Sequence, residues 1–295
     1  MSSAMKIDFF AITKFRKWNR TRTSRRRAGR QVRTPAKTNT LCVLAIMKNE
    51  ALNIEEWISH YEWQGVGSIY LIDNGSTDDS LAKVQRWIDS GFVQCISLDQ
   101  PYAQLDHYWT AFQKFKVQQS CEWLLIADLD EFWFCKSGNM LRDEMKLFTD
   151  VDVIYANWTI FGSSGYIEHP NSLRSDLLIR RPDLEHHGFR KWICRTSEIK
   201  SKSNLQIHAI KGLCSSRTIS SNNIFQLNHY VNQSQYFWNN IKMRRGDVSD
   251  PLNNDVRSNK IFNEIDMECV VKDTQLADFL SQHKNLPRHS EEQSL

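Results

Sequence analysis

Cys121-Glu122-Trp123-Leu124-Leu125-Ile126-Ala127-Asp128-Leu129-Asp130-Glu131-Phe132 is an apolar run of strand length that halts on three acids. A run this continuous, without polar alternation, suits a strand covered on both faces. In open α/β sheets, ligands gather beyond the carboxyl ends of such strands. Asp128 and Asp130 are two apart, so in extended chain their side chains share a face. Two carboxylates so placed repel unless a cation or water lies between them. A hard divalent ion with oxygen ligands, Mn2+ or Mg2+, is the expected resident. A loop acid cluster paired with Lys or Arg is the alternative reading of a bare Asp-x-Asp.

The segments before this strand repeat one pattern. Leu41–Met47 is a buried-type strand ending on Lys48-Asn49-Glu50, and Leu52, Ile54, Trp57, Ile58 and Tyr61 then recur at helical spacing. Gly65-Val66-Gly67 stops that helix, and the strand Ser68–Ile72 ends on Asp73-Asn74. Ser76, Thr77 and Asp78 are N-cap candidates for a helix reaching about Ser90. A third strand over 92–98 and a third helix over about 103–119 lead to Asp128. Alternating β and α with short connections predicts a parallel sheet whose strand ends share one edge. Lys48-Asn49-Glu50, Asp73-Asn74 and Asp128-x-Asp130 would then line one cleft. Neither G-x-G-x-x-G nor G-x-x-x-x-G-K-[ST] is present, which argues against a dinucleotide oxidoreductase and a P-loop NTPase.

The charge is unevenly spread. Residues 1–40 hold 12 Lys/Arg and one acid, about +11, which leaves 26 Lys/Arg against 33 acids, or −7, in the rest. Apolar and aromatic residues over 5–18, followed by the Arg-rich stretch to Arg33, suit a foot on an anionic membrane surface. The same arm would bind the phosphates of nucleic acid, the less favoured partner. Seven scattered cysteines with no C-x-x-C pair argue against a disulfide framework or zinc site. With no apolar run near spanning length, the expected location is cytoplasmic, peripheral on the inner face of the plasma membrane.

In the second half, a strand over 151–156 precedes the loop-like string Asn157-Trp158-Thr159-Ile160-Phe161-Gly162-Ser163-Ser164-Gly165-Tyr166. Aromatics beside Gly and Ser suit a sugar site, which makes Trp158, Phe161 and Gly162 acceptor-binding candidates. His208 and His229 each sit at a predicted strand end.

Lys48-Asn49-Glu50, Glu56-Trp57-Ile58-x-x-Tyr61, Gly65-Val66, Asp73-Asn74-x-Ser76-x-Asp78 and Asp128-x-Asp130-Glu131-Phe132 form an ordered series. Over about residues 41–250 it resembles the family-2-like glycosyltransferases of the GT-A fold, in the type 4 branch related to family 92. The resemblance implies a Rossmann-like, mostly parallel sheet with helices on both faces and a C-terminal acceptor-side region. The implied divisions are a basic, partly amphipathic arm (1–40), a nucleotide-sugar-binding half (41–150), an acceptor-binding half (151–250) and a helical extension (251–295). It further implies a nucleotide-sugar donor, a UDP-sugar favoured, bound through Mn2+ or Mg2+ on the Asp-x-Asp motif. Asp130 would ligate the ion directly, Asp128 would face the ribose or a water on the ion, and His229 would complete the shell. Asp73 and Asn74 fall at the nucleotide, and Lys48, Asn49 and Glu50 beside base and ribose. Lys191 matches a lysine the family keeps, while Lys242, Arg244 and Arg245 are candidates for neutralising the diphosphate.

The implied reaction moves a hexose to a hydroxyl of a growing glycan, such as a surface polysaccharide or lipopolysaccharide, with inversion. Glu168, just after the aromatic-Gly string, is the first general-base candidate. The competing class is a non-catalytic nucleic-acid-associated protein acting through its Arg-rich arm.

Overall fold

Strand β1 (Asn39–Met47) shows why the apolar runs are unbroken. Its Leu41, Val43, Ala45 and Met47 share a core with Trp57, Ile58 and Tyr61 of helix α1 (Ile54–Trp63). The intervening Cys42, Leu44 and Ile46 join a second core containing Tyr108, Ala111 and Phe112 of a later helix (Gln104–Lys114). Both faces are covered from Leu41 to Met47, so no position over that run is left for a polar residue.

The computed structural model describes residues 37–182, 189–213, 215–244 and 257–284. The chain separates into two units, Met1–Ala36 and Lys37–Leu295, and every described residue belongs to the second. The basic segment at 5–33 and Arg245 lie outside the described residues.

The alternation continues through β2 (Ser68–Asp73), α2 (Ser80–Asp89), β3 (Val93–Ser97), α3 (Gln104–Lys114), the short α4 (Val117–Ser120) and β4 (Cys121–Ile126). These strands lie parallel in the order β4-β1-β2-β3. Gly65, at φ 74°, supplies the left-handed turn that ends α1. Met47 registers with Asp73, Asp73 with Ser97, and Leu44 with Ile126. The ends of β1, β2 and β4 therefore reach one edge.

The expectation of a mostly parallel sheet fails beyond β4. Among the described residues, five strand pairings are parallel and five antiparallel, so the sheet is mixed. β5 (Glu131–Cys135) follows β4 after a turn and pairs antiparallel with β10 (Phe225–Tyr230). β8 (Arg190–Arg195) runs antiparallel to both β4 and β6 (Val153–Phe161). The reason lies in the connections. Parallel neighbours need a crossover of a dozen or more residues, usually a helix. Between β4 and β10 the described helices are short, as in α5 (Leu141–Met145) and α6 (Leu173–Asp176), and β8 turns back antiparallel on its neighbours. Strand β6 reaches its parallel neighbour β10 only through a long connection that includes β8.

Strand β6 also corrects the loop expected over 157–166, because it runs through to Phe161. Thr159, Ile160 and Phe161 are β-branched or aromatic and extend the strand. Its first half pairs with β8 and with β9 (Thr218–Ser220), and its second half with β10 and, at Phe161, with β7 (Ile179–Arg180). This switch of partners brings β10 beside the turn that carries Asp128 and Asp130. After the short α7 (Gln235–Phe237), helix α8 (Asn259–Glu268) and β11 (Val271–Lys272) lead to α9 (Gln275–Lys284), whose Leu276 and Leu280 enter the first core.

Candidate active site

The turn Ala127–Asp130 between β4 and β5 is held by its carbonyls. Trp57 Nε1 donates to the carbonyls of Asp128 (2.9 Å) and Glu131 (3.1 Å), and the Tyr61 hydroxyl donates to that of Glu131 (3.0 Å). Tyr230 N donates to the Asp130 carbonyl at 2.9 Å. Helix α1 and strand β10 thus fix the backbone from two sides and leave the three carboxylates to define the chemistry.

Glu131 turns inward. Its Oε2 accepts from Asp128 N (2.8 Å) and its Oε1 from Trp158 Nε1 (2.7 Å). Lys191 of β8 is fully buried, with Nζ 2.7 Å from Asp128 Oδ2 and 3.6 Å from Glu131 Oε1. Burial pulls the Lys191 ammonium down, but Asp128 and Glu131 outweigh it and hold it above the ordinary lysine value. Burial pushes Glu131 well up, Asp128 and Asp130 act in the same sense, and Lys191 opposes them. Of the two acids, Asp128 is the closer partner of the ammonium.

Asp130 has a different set of neighbours. His229 Nε2 lies 3.4 Å from its Oδ1, and Lys242 Nζ lies 3.3 Å from its Oδ2. Lys242 also donates to the Val231 carbonyl at 2.7 Å, and it closes the wide π-type turn Trp238–Lys242. The His229 ring packs on Trp158, with centroids 4.3 Å apart, and its Nδ1 is buried with no hydrogen-bond partner among the described residues. Three carboxylates here face two ammonium groups.

A divalent cation fits this set in a limited way. Asp130 and His229 present an oxygen and an imidazole nitrogen toward one point, a donor pair suited to Mn2+. Asp128 is committed to Lys191. Among the described residues no group of three His, Cys, Asp or Glu side chains could hold a metal ion. Two protein donors suffice for an ion whose remaining positions are filled by phosphate oxygens and water.

The other sequence candidates fall at the same sheet edge. Asp73 is buried at the end of β2 and accepts from Ser76 N at 3.0 Å. Asn74 Nδ2 donates to the Leu98 carbonyl at 2.7 Å. Asn49 adopts φ 54°, and its Oδ1 accepts from Thr77 N at 2.8 Å, tying the end of β1 to the loop after β2. Glu50 is buried, its N donating to Ser80 Oγ at 2.8 Å, and Lys48 is partly buried beside it. Of the acceptor candidates, Trp158 joins the carboxylate cluster directly. Phe161 is buried against Tyr230 (centroids 5.0 Å), and Gly162 backs onto Asp266 and Cys269 of the α8 region. Glu168 is exposed in the loop after β6.

Two contributors were not singled out as site residues from sequence. The inward role of Glu131 is hidden because three adjacent acids look alike until the turn sorts them. His208 lies in a turn closed by a Gln206–Ala209 bridge, not in a strand, with its ring edge-on to Trp158 at 5.3 Å.

Comparison with known proteins gives a family. The profile of glycosyltransferase family 92 matches residues 37–273. A family 92 protein of Oryza sativa subsp. japonica is 26% identical over 113 residues, which is 38% of this chain and 19% of that protein. One from Arabidopsis thaliana is 23% identical over 180 residues, 57% of this chain and 31% of that protein. The chain thus spans about a fifth to a third of the length of the curated relatives it matches. Among solved structures, S. aureus TarS 1–349 in complex with UDP-GlcNAc aligns at TM-score 0.45 and 14% identity, over 84% of this chain and 74% of that one.

Proposed function

Because this chain belongs to glycosyltransferase family 92, we propose that it transfers a hexosyl group from a nucleotide-sugar, with UDP as the base carrier, to a hydroxyl of a growing glycan. One observation carries this reading: Asp128 and Asp130, after the end of β4, lie among Lys191, His229 and Lys242, with Asp73 at the end of β2, two strands away on the same sheet edge. A site of mixed acids and cations suits a diphosphate bound through a divalent ion.

In this reading Asp130 and His229 would hold Mn2+ or Mg2+, and the ion would supply Lewis-acid stabilisation to a diphosphate leaving group. Lys191 neutralises Asp128 and fixes its direction, so that the second oxygen of that carboxylate can accept from a ribose hydroxyl. Lys242, anchored on the Val231 carbonyl, stands beside Asp130 to meet diphosphate oxygens. Asp73 and Asn74, at the end of β2, border the nucleotide. Trp158 offers an indole whose nitrogen is already committed to Glu131, leaving its faces for packing against His229 and a sugar ring. Attack by the acceptor from the face opposite the diphosphate inverts the anomeric centre. No described helix is long and apolar enough to cross a membrane, and a peripheral contact of the basic arm with anionic lipid is part of the same proposal.

The test is the change in melting temperature with UDP, GDP, ADP and CDP, each with Mn2+ and with EDTA. Stabilisation by one diphosphate that requires Mn2+ and disappears in Asp130→Ala is the expected result. A chain that no nucleotide stabilises, yet whose 1–36 segment binds RNA tightly, would overturn the reading.

A further inference from the structure

The hydrogen bond from Trp158 to Glu131 joins two strands that are not neighbours. Strand β10 lies between β5, which carries Glu131, and β6, which carries Trp158. His229 of β10 registers with Glu131 on one side and with Ile160 on the other. Residues in register share a face, and Trp158 is two positions before Ile160, so Glu131, His229 and Trp158 lie on one face of the three strands. Trp158 Nε1 reaches Glu131 Oε1 at 2.7 Å across β10, which lays the indole against the His229 ring, centroids 4.3 Å apart.

An imidazole that meets a metal ion ordinarily has its direction set by a hydrogen bond from its other nitrogen. His229 lacks that support: its Nδ1 is buried with no hydrogen-bond partner among the described residues. The indole packs on the ring instead. Phe189 and His208 also border Trp158, with centroids 5.6 and 5.3 Å away, but ring contact alone does not choose how the indole is turned about its own bonds. Its N–H does, because it can only donate and the Glu131 carboxylate is its acceptor. Glu131 in turn has little freedom. It is fully buried, its other oxygen accepts from Asp128 N at 2.8 Å, and its carbonyl takes the Trp57 and Tyr61 donors.

We propose that Glu131 is a positioning residue that aims His229 at Asp130, acting through the Trp158 indole held across β10. The proposal rests on the transferase reading above, in which His229 and Asp130 share the ion. The indole keeps His229 Nε2 facing Asp130 Oδ1, 3.4 Å away, so the donor pair is formed before nucleotide arrives. Both oxygens of Glu131 accept from an N–H, so Glu131→Gln must set an NH2 group against one of those donors. Trp158→Phe keeps a ring beside His229 but has no N–H to tie it down.

The test uses the full chain with UDP present and Mn2+ titrated by electron paramagnetic resonance. Glu131→Gln and Trp158→Phe should each weaken the ion's affinity about tenfold, the loss expected when the support of a metal-facing histidine is removed. In a His229→Gln background either substitution should change affinity by less than about twofold, because its effect passes through the imidazole. Equal losses with and without His229, or a loss under about twofold in either single variant, overturn the role. If the unsubstituted chain shows no Mn2+-dependent binding of UDP, the transferase reading fails and this role with it. Should Glu131→Gln fail to fold, Trp158→Phe carries the titration alone, with and without His229→Gln. A readout independent of the ion is the 15N–1H spectrum of the indole groups, in which Trp158→Phe identifies the Trp158 signal. That signal should lie downfield, as for an N–H held by a carboxylate, and move upfield in Glu131→Gln. A Trp158 signal that Glu131→Gln leaves in place overturns the proposal.

Discussion

The Lys191 ammonium lies 2.7 Å from the Asp128 carboxylate with no exposure of its own side chain, so the outer acid of the motif is joined to a buried cation. Removing the ammonium leaves the fully buried Glu131 without its nearby cation, while the Asp128 side chain, 35% exposed, is partly reached by water. Lys191→Met should therefore destabilise the fold by about 1–3 kcal/mol in urea unfolding. Adding Glu131→Gln should restore part of that loss, since it removes the second acid facing the empty place. If Lys191→Met unfolds at the parent's urea concentration, the pair is not holding the turn.

Acid should weaken the fold through His60. Its Nε2 donates to the Trp133 carbonyl at 2.8 Å, and its Nδ1 faces Arg174 at 3.4 Å. Burial, and then the Arg174 charge, hold the ring well below the ordinary value of 6.5, so it is neutral when folded. The unfolded chain takes up a proton there as pH drops below about 6.5, and the folded chain does not. Stability is thus complete above that pH and declines below it, by about 1.4 kcal/mol per pH unit for this one group. Urea midpoints measured from neutral pH down to about pH 5 check the slope. His60→Gln should make it shallower, and an unchanged slope would mean that other groups dominate.

Gly162 makes a prediction about space. A Cβ there would lie 2.7 Å from Asp266 Oδ1 and 3.1 Å from Cys269 Sγ. That carboxylate oxygen cannot swing away easily, since it accepts from Ser163 N and Asn232 Nδ2, both at 2.7 Å. Gly162→Ala should lower stability by about 1–3 kcal/mol through overpacking. Thermal unfolding measures this, and the nucleotide-dependent shift should persist. Loss of the shift with unchanged stability would point instead to contact with a ligand.

How far the sequence could be read follows from the connections. The first four strands were legible because each is an unbroken apolar run separated from the next by a helix, and β1 shows both faces in use. Periodicity says nothing about strand direction once the crossover helices stop, and that is why the antiparallel β5–β10 and β4–β8 pairings were missed. Asp128 and Asp130 announced themselves by ending an apolar run on acids. Glu131 did not, because only the turn clamped by Trp57 and Tyr61 sends its side chain to Trp158 and the backbone of Asp128.

The two aspartates should separate by assay. Asp130 faces His229 and Lys242, whereas Asp128 already has a buried ammonium as its counter-charge. An ion held by Asp130 and His229 has no need of Asp128, and drawing Asp128 to it would strand Lys191 beside Glu131. Titration of Mn2+ in the presence of UDP, followed by electron paramagnetic resonance, should show Asp130→Asn weakening the ion's affinity by about tenfold or more, roughly 1.4 kcal/mol. His229→Gln should weaken it in the same direction. Asp128→Asn should leave affinity within about threefold, under 1 kcal/mol, while lowering stability by leaving Lys191 without its charged partner. Equal losses of affinity in the two Asp→Asn variants would show that Asp128 leaves Lys191 to ligate the ion when nucleotide binds. In that case the ion pair would be a resting arrangement of the site, broken at each turnover.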